Sequence, residues 1–267
     1  MNINDKLDSL LNKVIKPGRY IGGELNTVEK TEYKCHFGFA FPDTYEIGMS
    51  YLGLQILYRI LNDYDDVYCE RLFAPALDME ELMREEGLSL FTIETKTPAS
   101  ELDILGFTLQ YEMSYTNIIN MLDLANIPVL SKDRGEEWPL LIGGGPCAFN
   151  PEPLADVFDA FIIGDGEEAI LEVCKTYIQN KQENGTKKQF LKSVCMKDGV
   201  YVPAFYEPVY NEDGTIKEIL KKYDAAPSTV RKALIHDIEA APFPENPIVP
   251  LIETVHDRAE VETFRGC

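Results

Sequence analysis

The chain has 267 residues, 45% hydrophobic and 26% charged, the composition of an ordinary globular protein large enough to bury a substantial core. Its 45 acidic against 25 basic residues leave a net charge of −20, which opposes non-specific binding to nucleic acid; no Lys/Arg-rich block stands out, leaving room for no more than a local basic groove. There is no apolar run of about 18 residues and no basic-then-apolar leader at the N-terminus, so the expected location is the cytoplasm.

Residues 1–34 read as an N-terminal extension, with a short helix around Asp5–Val14 and a Pro17-Gly18 break. Cys35–Phe41 (CHFGFAF) suits a strand buried on both faces, and Gly48–Leu61 has apolar residues at helical spacing. Val67–Phe73 is a second strand, and Leu77–Glu86 a charged helix stopped by Gly87. Ile104–Leu109 is a third strand, followed by a helix over Ser114–Ala125 with Ser114 as its N-cap. Leu140–Ile142 runs into Gly143-Gly144-Gly145, and Ala160–Ile163 into Gly164-Asp165-Gly166-Glu167, which opens a helix over Glu167–Ile178. Strand and helix alternating at these lengths predict an α/β fold: a flavodoxin-like, doubly wound parallel sheet of about five strands with helices on both faces. The 35–180 domain is followed by an accessory segment, 181–223, with a helix near Gln189–Met196 and a β-hairpin turning at NEDG. Residues 224–267, with five prolines between 227 and 250, read as a linker.

Ligands of open α/β sheets bind at the carboxyl ends of the strands. The unusual sequence falls there: FPDTYEIG after the first strand, TLQYE after the third, GGGPCAFNPEPL after the fourth and GDGEE after the fifth. Glycines let a ligand approach the backbone, and acids at a helix start suit a ligand rich in donors rather than a bare phosphate. Each loop also has a plainer reading as a turn or a cap. No Walker sequence and no dinucleotide fingerprint occurs. Six cysteines, none in a C-x-x-C pair, make a zinc site within the chain improbable, and most read as small buried hydrophobes. Cys147 sits in the glycine loop with no histidine near it in sequence, which favours a packing role over a nucleophile. No catalytic residue set is assigned.

In order, FPDTYEIGMSYLGLQILYRILN, then IGGGPCAFNPEPLADVFDAFIIGDGEEAI, then a proline-rich stretch ending TFRGC, resemble the N-terminal region of radical SAM proteins that carry a cobalamin-binding domain. The resemblance runs from about Pro17 to the last residue, and places D-x-Y-x-x-G in the slot of the D-x-H-x-x-G cobalamin motif. There a histidine replaces the cofactor's own base below cobalt; a Tyr phenol, of pKa about 10, is a poorer neutral ligand. The resemblance therefore implies either base-off cobalamin without a protein ligand or a domain that has lost the cofactor. The candidate corrinoid-binding residues are Asp43, Tyr45, Gly48, Thr108, Gly143, Gly144, Gly145, Gly164, Asp165, Gly166 and Glu167. Arg265-Gly266-Cys267 is similar to the opening of the C-x-x-x-C-x-x-C motif, so Cys267 would be the first ligand of a [4Fe–4S] cluster. The cluster and S-adenosylmethionine would belong to the full-length protein, whose radical SAM barrel is the implied partner. Rival readings are an interaction domain of the same fold that binds no corrinoid, and a flavodoxin-type flavin site.

Overall fold

The computed structural model describes residues 3–256, 258 and 260–265. Its centre is a six-stranded sheet in the order β2-β1-β3-β4-β5-β6. The strands are β1 (Cys35–Phe41), β2 (Val67–Phe73), β3 (Ile104–Thr108), β4 (Leu140–Gly144), β5 (Ala160–Ile162) and β6 (Val200–Tyr201). The first five are mutually parallel, with registers such as Phe37 opposite both Cys69 and Ile104; β6 runs antiparallel to β5. Parallel strands need crossover connections, most often helices, and β1 and β2 are buried along their whole length. The order 2-1-3-4-5 is the flavodoxin-like one expected; the sixth strand was not expected.

The helices are α1 (Ile3–Leu11), α2 (Tyr45–Met49), α3 (Leu52–Asp63), α4 (Leu77–Glu86), α5 (Tyr115–Leu124), α6 (Gly166–Gln182) and α7 (Lys187–Val194). α3 and α6 pack together on one face. α4 and α5 lie side by side, joined by Asn120 donating to Glu80 and by the Arg84–Asp123 ion pair. The single helix expected over 48–61 is broken: Tyr51 takes an extended conformation, and the Ser50 hydroxyl caps the Glu46 carbonyl. Ser114 stands at the start of α5, yet its hydroxyl donates back to Tyr111 O at 2.8 Å instead of capping the helix. Gly87 ends α4 in the left-handed region (φ 61°), as its place in the sequence implied. No helix crosses from β4 to β5; the prolines at 146, 151 and 153 permit only two short 3₁₀ turns.

The run Val200–Tyr210 is divided. Its first two residues form β6 in the main sheet, Pro203–Phe205 turn the chain, and β7 (Tyr206–Tyr210) pairs with β8 (Ile216–Lys221) in a separate hairpin. Beyond it the proline-rich stretch comes back along the sheet: Ala233 bridges Gly164, and Val249 bridges Leu25. No helix among the described residues is long and apolar enough to cross a membrane.

Candidate functional site

The predicted site residues do gather at the carboxyl ends of the strands, as the topology requires. Most of them are engaged by the chain itself. Tyr45, the first residue of α2, is 1% exposed. Its hydroxyl donates to Glu24 Oε1 at 2.9 Å and accepts from Leu251 N at 3.3 Å, and its ring meets Phe73 edge-on. Burial, reinforced by the Glu24 charge, pushes its phenol well above the ordinary range.

Behind Tyr45 lies a buried ion cluster. Arg71 on β2 reaches Glu24 at 2.9 Å and Glu94 at 2.7 Å, and its backbone N–H also donates to Glu94. Burial works against the charge on Glu24, but the Arg71 guanidinium outweighs it and holds that carboxyl below its usual value. Next to it His36 pairs with Glu70, whose carboxylate also accepts from Thr95. Sequence reasoning missed this cluster. Its signal was Glu70-Arg71 in the middle of a strand otherwise fit for full burial, since adjacent side chains on a two-sided buried strand both need partners.

Asp43 accepts from Thr44 N at 2.7 Å and so shapes the turn into α2. Gly48 packs against the Phe73 and Phe41 rings, where a β-carbon would collide. Thr108 is buried and accepts from Gln110. The crevice between β1 and β3, where the strand order reverses, is spanned by Asn117 donating to Pro42 O at 2.9 Å.

The glycine run divides into three environments. Gly143 is packed under Phe161 and Leu109, and Gly145 (φ 109°) turns tightly against the Leu109 backbone. Gly144 alone of the three has a free flank, its nearest neighbour being Ile162 at ordinary contact distance. At the next loop the close approach that Gly164 (φ 104°) allows is made by Ala233 of the same chain. Asp165 completes that junction: its N–H donates to Ala233 O, and its carboxylate accepts from Ile235 N at 2.7 Å. Gly166 begins α6 beside Leu57, and Glu167 forms an ion pair with Arg265 at 2.5 Å. Cys147 is half-buried, and burial raises its thiol, the opposite of what a nucleophile needs. Among the described residues no group of three or more His, Cys, Asp or Glu could hold a metal ion. Cys267 lies outside the described residues.

The family model for the N-terminal region of radical SAM proteins matches residues 53–203, more than half of the chain. The chain belongs to this family. The radical SAM N-terminal domain also matches an uncharacterized protein of Methanocaldococcus jannaschii, 24% identical over 185 residues, covering 64% of this chain and 35% of the relative. It thus spans about a third of the length of that curated relative. Two solved structures of the cobalamin-dependent S-adenosylmethionine radical enzyme OxsB overlap it loosely. One, with aqua-cobalamin, has a TM-score of 0.41 and 12% identity over 75% of this chain and 23% of its own. The other, with aqua-cobalamin and S-adenosylmethionine, has a TM-score of 0.40 and 11% identity over 85% of this chain and 28% of its own. Overlap at that level fixes no ligand for this radical SAM N-terminal domain.

Its own geometry speaks to cobalamin directly. Tyr45 does not fit the place below cobalt: it is buried, it donates to a carboxylate, and burial keeps it protonated. The Gly164–Glu167 loop is engaged by residues 233–235 and 265. Of the predicted glycines, Gly144 has the most open flank for an approaching group, although its carbonyl accepts from Leu109 N.

Proposed function

We propose that this chain is the cobalamin-binding-like N-terminal domain of a radical SAM enzyme, and that the carboxyl edge of its sheet faces that enzyme's catalytic domain. The observation that carries this reading is the apolar surface on that edge. Met113 is 82% exposed, Phe149 61% and Tyr111 46%, all on the connections that follow β3 and β4. Large apolar side chains grouped on one rim mark a surface that is covered in the working assembly. The cluster and S-adenosylmethionine belong to the catalytic domain; this domain's part is to shield and position. In the full-length protein, Met113→Asp with Phe149→Asp should split a single calorimetric unfolding transition into two. An unchanged profile would count against the reading.

A finer reading adds cobalamin at this edge, base-off and with no ligand from this chain. The free flank of Gly144 favours it. Hydroxocobalamin should then co-elute with the full-length protein on gel filtration, Gly144→Val should abolish co-elution, and Tyr45→Phe should leave the corrinoid spectrum unchanged. Failure of the wild-type protein to retain any corrinoid leaves the domain as an interaction module.

A further inference from the structure

A concave site lies at the opposite end of the sheet. It is a cleft of about 740 Å³ between the connection preceding β4, helix α7 and the two ends of the β7–β8 hairpin. Its volume falls in the range of about 300–1,000 Å³ that small ligands occupy. Six of the chain's 25 basic residues line it: Lys132, Arg134, Lys187, Lys188, Lys192 and Lys222. They come from three segments far apart in sequence.

The cleft has a built wall and a free rim. Arg134 is buried; it donates to Pro128 O and Val129 O at 2.8 Å each and pairs with Asp159, which also takes Lys187 at 2.9 Å. The Arg134 Nε, also buried, has no hydrogen-bond partner among the described residues. Phe205 and Tyr223 pack against each other, and the Lys192 ammonium lies 5.1 Å from the Tyr223 ring centre. Lys132, Lys188 and Lys222 are exposed and form no ion pair among the described residues. Glu136 is the one acid in the lining, and both its oxygens accept from the Lys187 backbone N–H.

Unpaired ammonium groups held around one concavity repel one another and focus a positive potential into it, here in a protein whose net charge is −20. Lysines are point-charge binders of phosphate, without the planar selectivity of arginine. We propose that this cleft binds the phosphate groups of a multiply phosphorylated ligand, supplied either by a free polyphosphate or by the backbone of an RNA strand. The proposal is independent of the radical SAM role, because the cleft is at the amino ends of β4 and β5 and the candidate edge is at their carboxyl ends.

The test uses the whole chain with two probes: inorganic tripolyphosphate by calorimetry, and a fluorescein-labelled oligouridine of roughly 20 nucleotides by anisotropy. At least one should bind, and raising salt from about 50 to about 200 mM should weaken binding of the RNA by about tenfold or more. Which probe binds identifies the source. The variant Lys132→Glu/Lys188→Glu/Lys222→Glu should lose about tenfold or more in affinity, whereas Lys6→Glu/Lys13→Glu/Lys232→Glu, with the same charge change elsewhere, should keep it. Thermal melts establish that both variants fold. Binding of neither probe by the wild type, equal loss in both variants, or full affinity in the cleft variant would each overturn the proposal.

Discussion

The hydroxyl of Tyr45 donates to the Glu24 carboxylate at 2.9 Å, at the position where the cobalamin motif would carry a metal-ligating histidine. The same hydroxyl oxygen also accepts from Leu251 N at 3.3 Å, so the phenol is engaged on both its donor and acceptor sides within the chain. Tyr45→Phe removes the donor and leaves Glu24 Oε1 and Leu251 N each short of a partner. Urea unfolding should show a loss of about 1–3 kcal/mol.

Arg71 is a larger liability, because both its carboxylate partners are buried with it. Arg71→Met should destabilise the domain by about 3–5 kcal/mol by stranding Glu24 and Glu94. Adding Glu24→Gln and Glu94→Gln should restore part of that loss. A triple variant no more stable than the single one would mean that the arginine matters by shape rather than charge.

Gly164 and Gly144 should differ sharply in their response to a single methyl group. Gly164→Ala forces a left-handed backbone angle on a residue with a β-carbon and drives that carbon into Ala233 O. Strain of this kind costs about 1–3 kcal/mol and should speed proteolysis within residues 224–250. Gly144→Ala meets only ordinary contact with Ile162 and should leave the melting temperature unchanged.

Glu46 should account for part of the acid sensitivity. Burial pushes its carboxyl upward, but hydrogen bonds from Arg19 and Lys16 outweigh that and hold it at about 2, against an ordinary 4.5. A depressed folded pKa stabilises the protein above the unfolded value, and that stabilisation is lost as pH falls from about 4.5 toward 2. The stability gap between wild type and Glu46→Gln, followed by urea unfolding across this window, should narrow as the pH drops.

The fold was legible because its signals are local. Alternating strands and helices, Gly87 as a helix stop and Asp213-Gly214 in the hairpin turn each act over a few residues. The gathering of the glycine loops on one edge followed from topology alone. What escaped the sequence was long-range. Gly164 looked like a ligand cradle because a glycine shows that something comes close without saying what, and Ala233 lies 69 positions further on. Glu24 falls in the stretch that reads as an N-terminal extension, and only the folded chain brings it to Arg71 and Tyr45. The lysine cleft was invisible for the same reason, since its rim is assembled from three separate segments.

The two hydrogen bonds of the Tyr45 hydroxyl also impose an order of events during synthesis. Glu24 is already made when Tyr45 emerges, but Leu251 is 206 residues further along. A ribosome adding about 5–20 residues each second delivers it roughly 10–40 s later. All six strands of the main sheet precede residue 202, so the core can assemble while the amide that will satisfy the phenol is still untranslated. During that interval the acceptor side of the hydroxyl is left to water, until the segment carrying Leu251 docks.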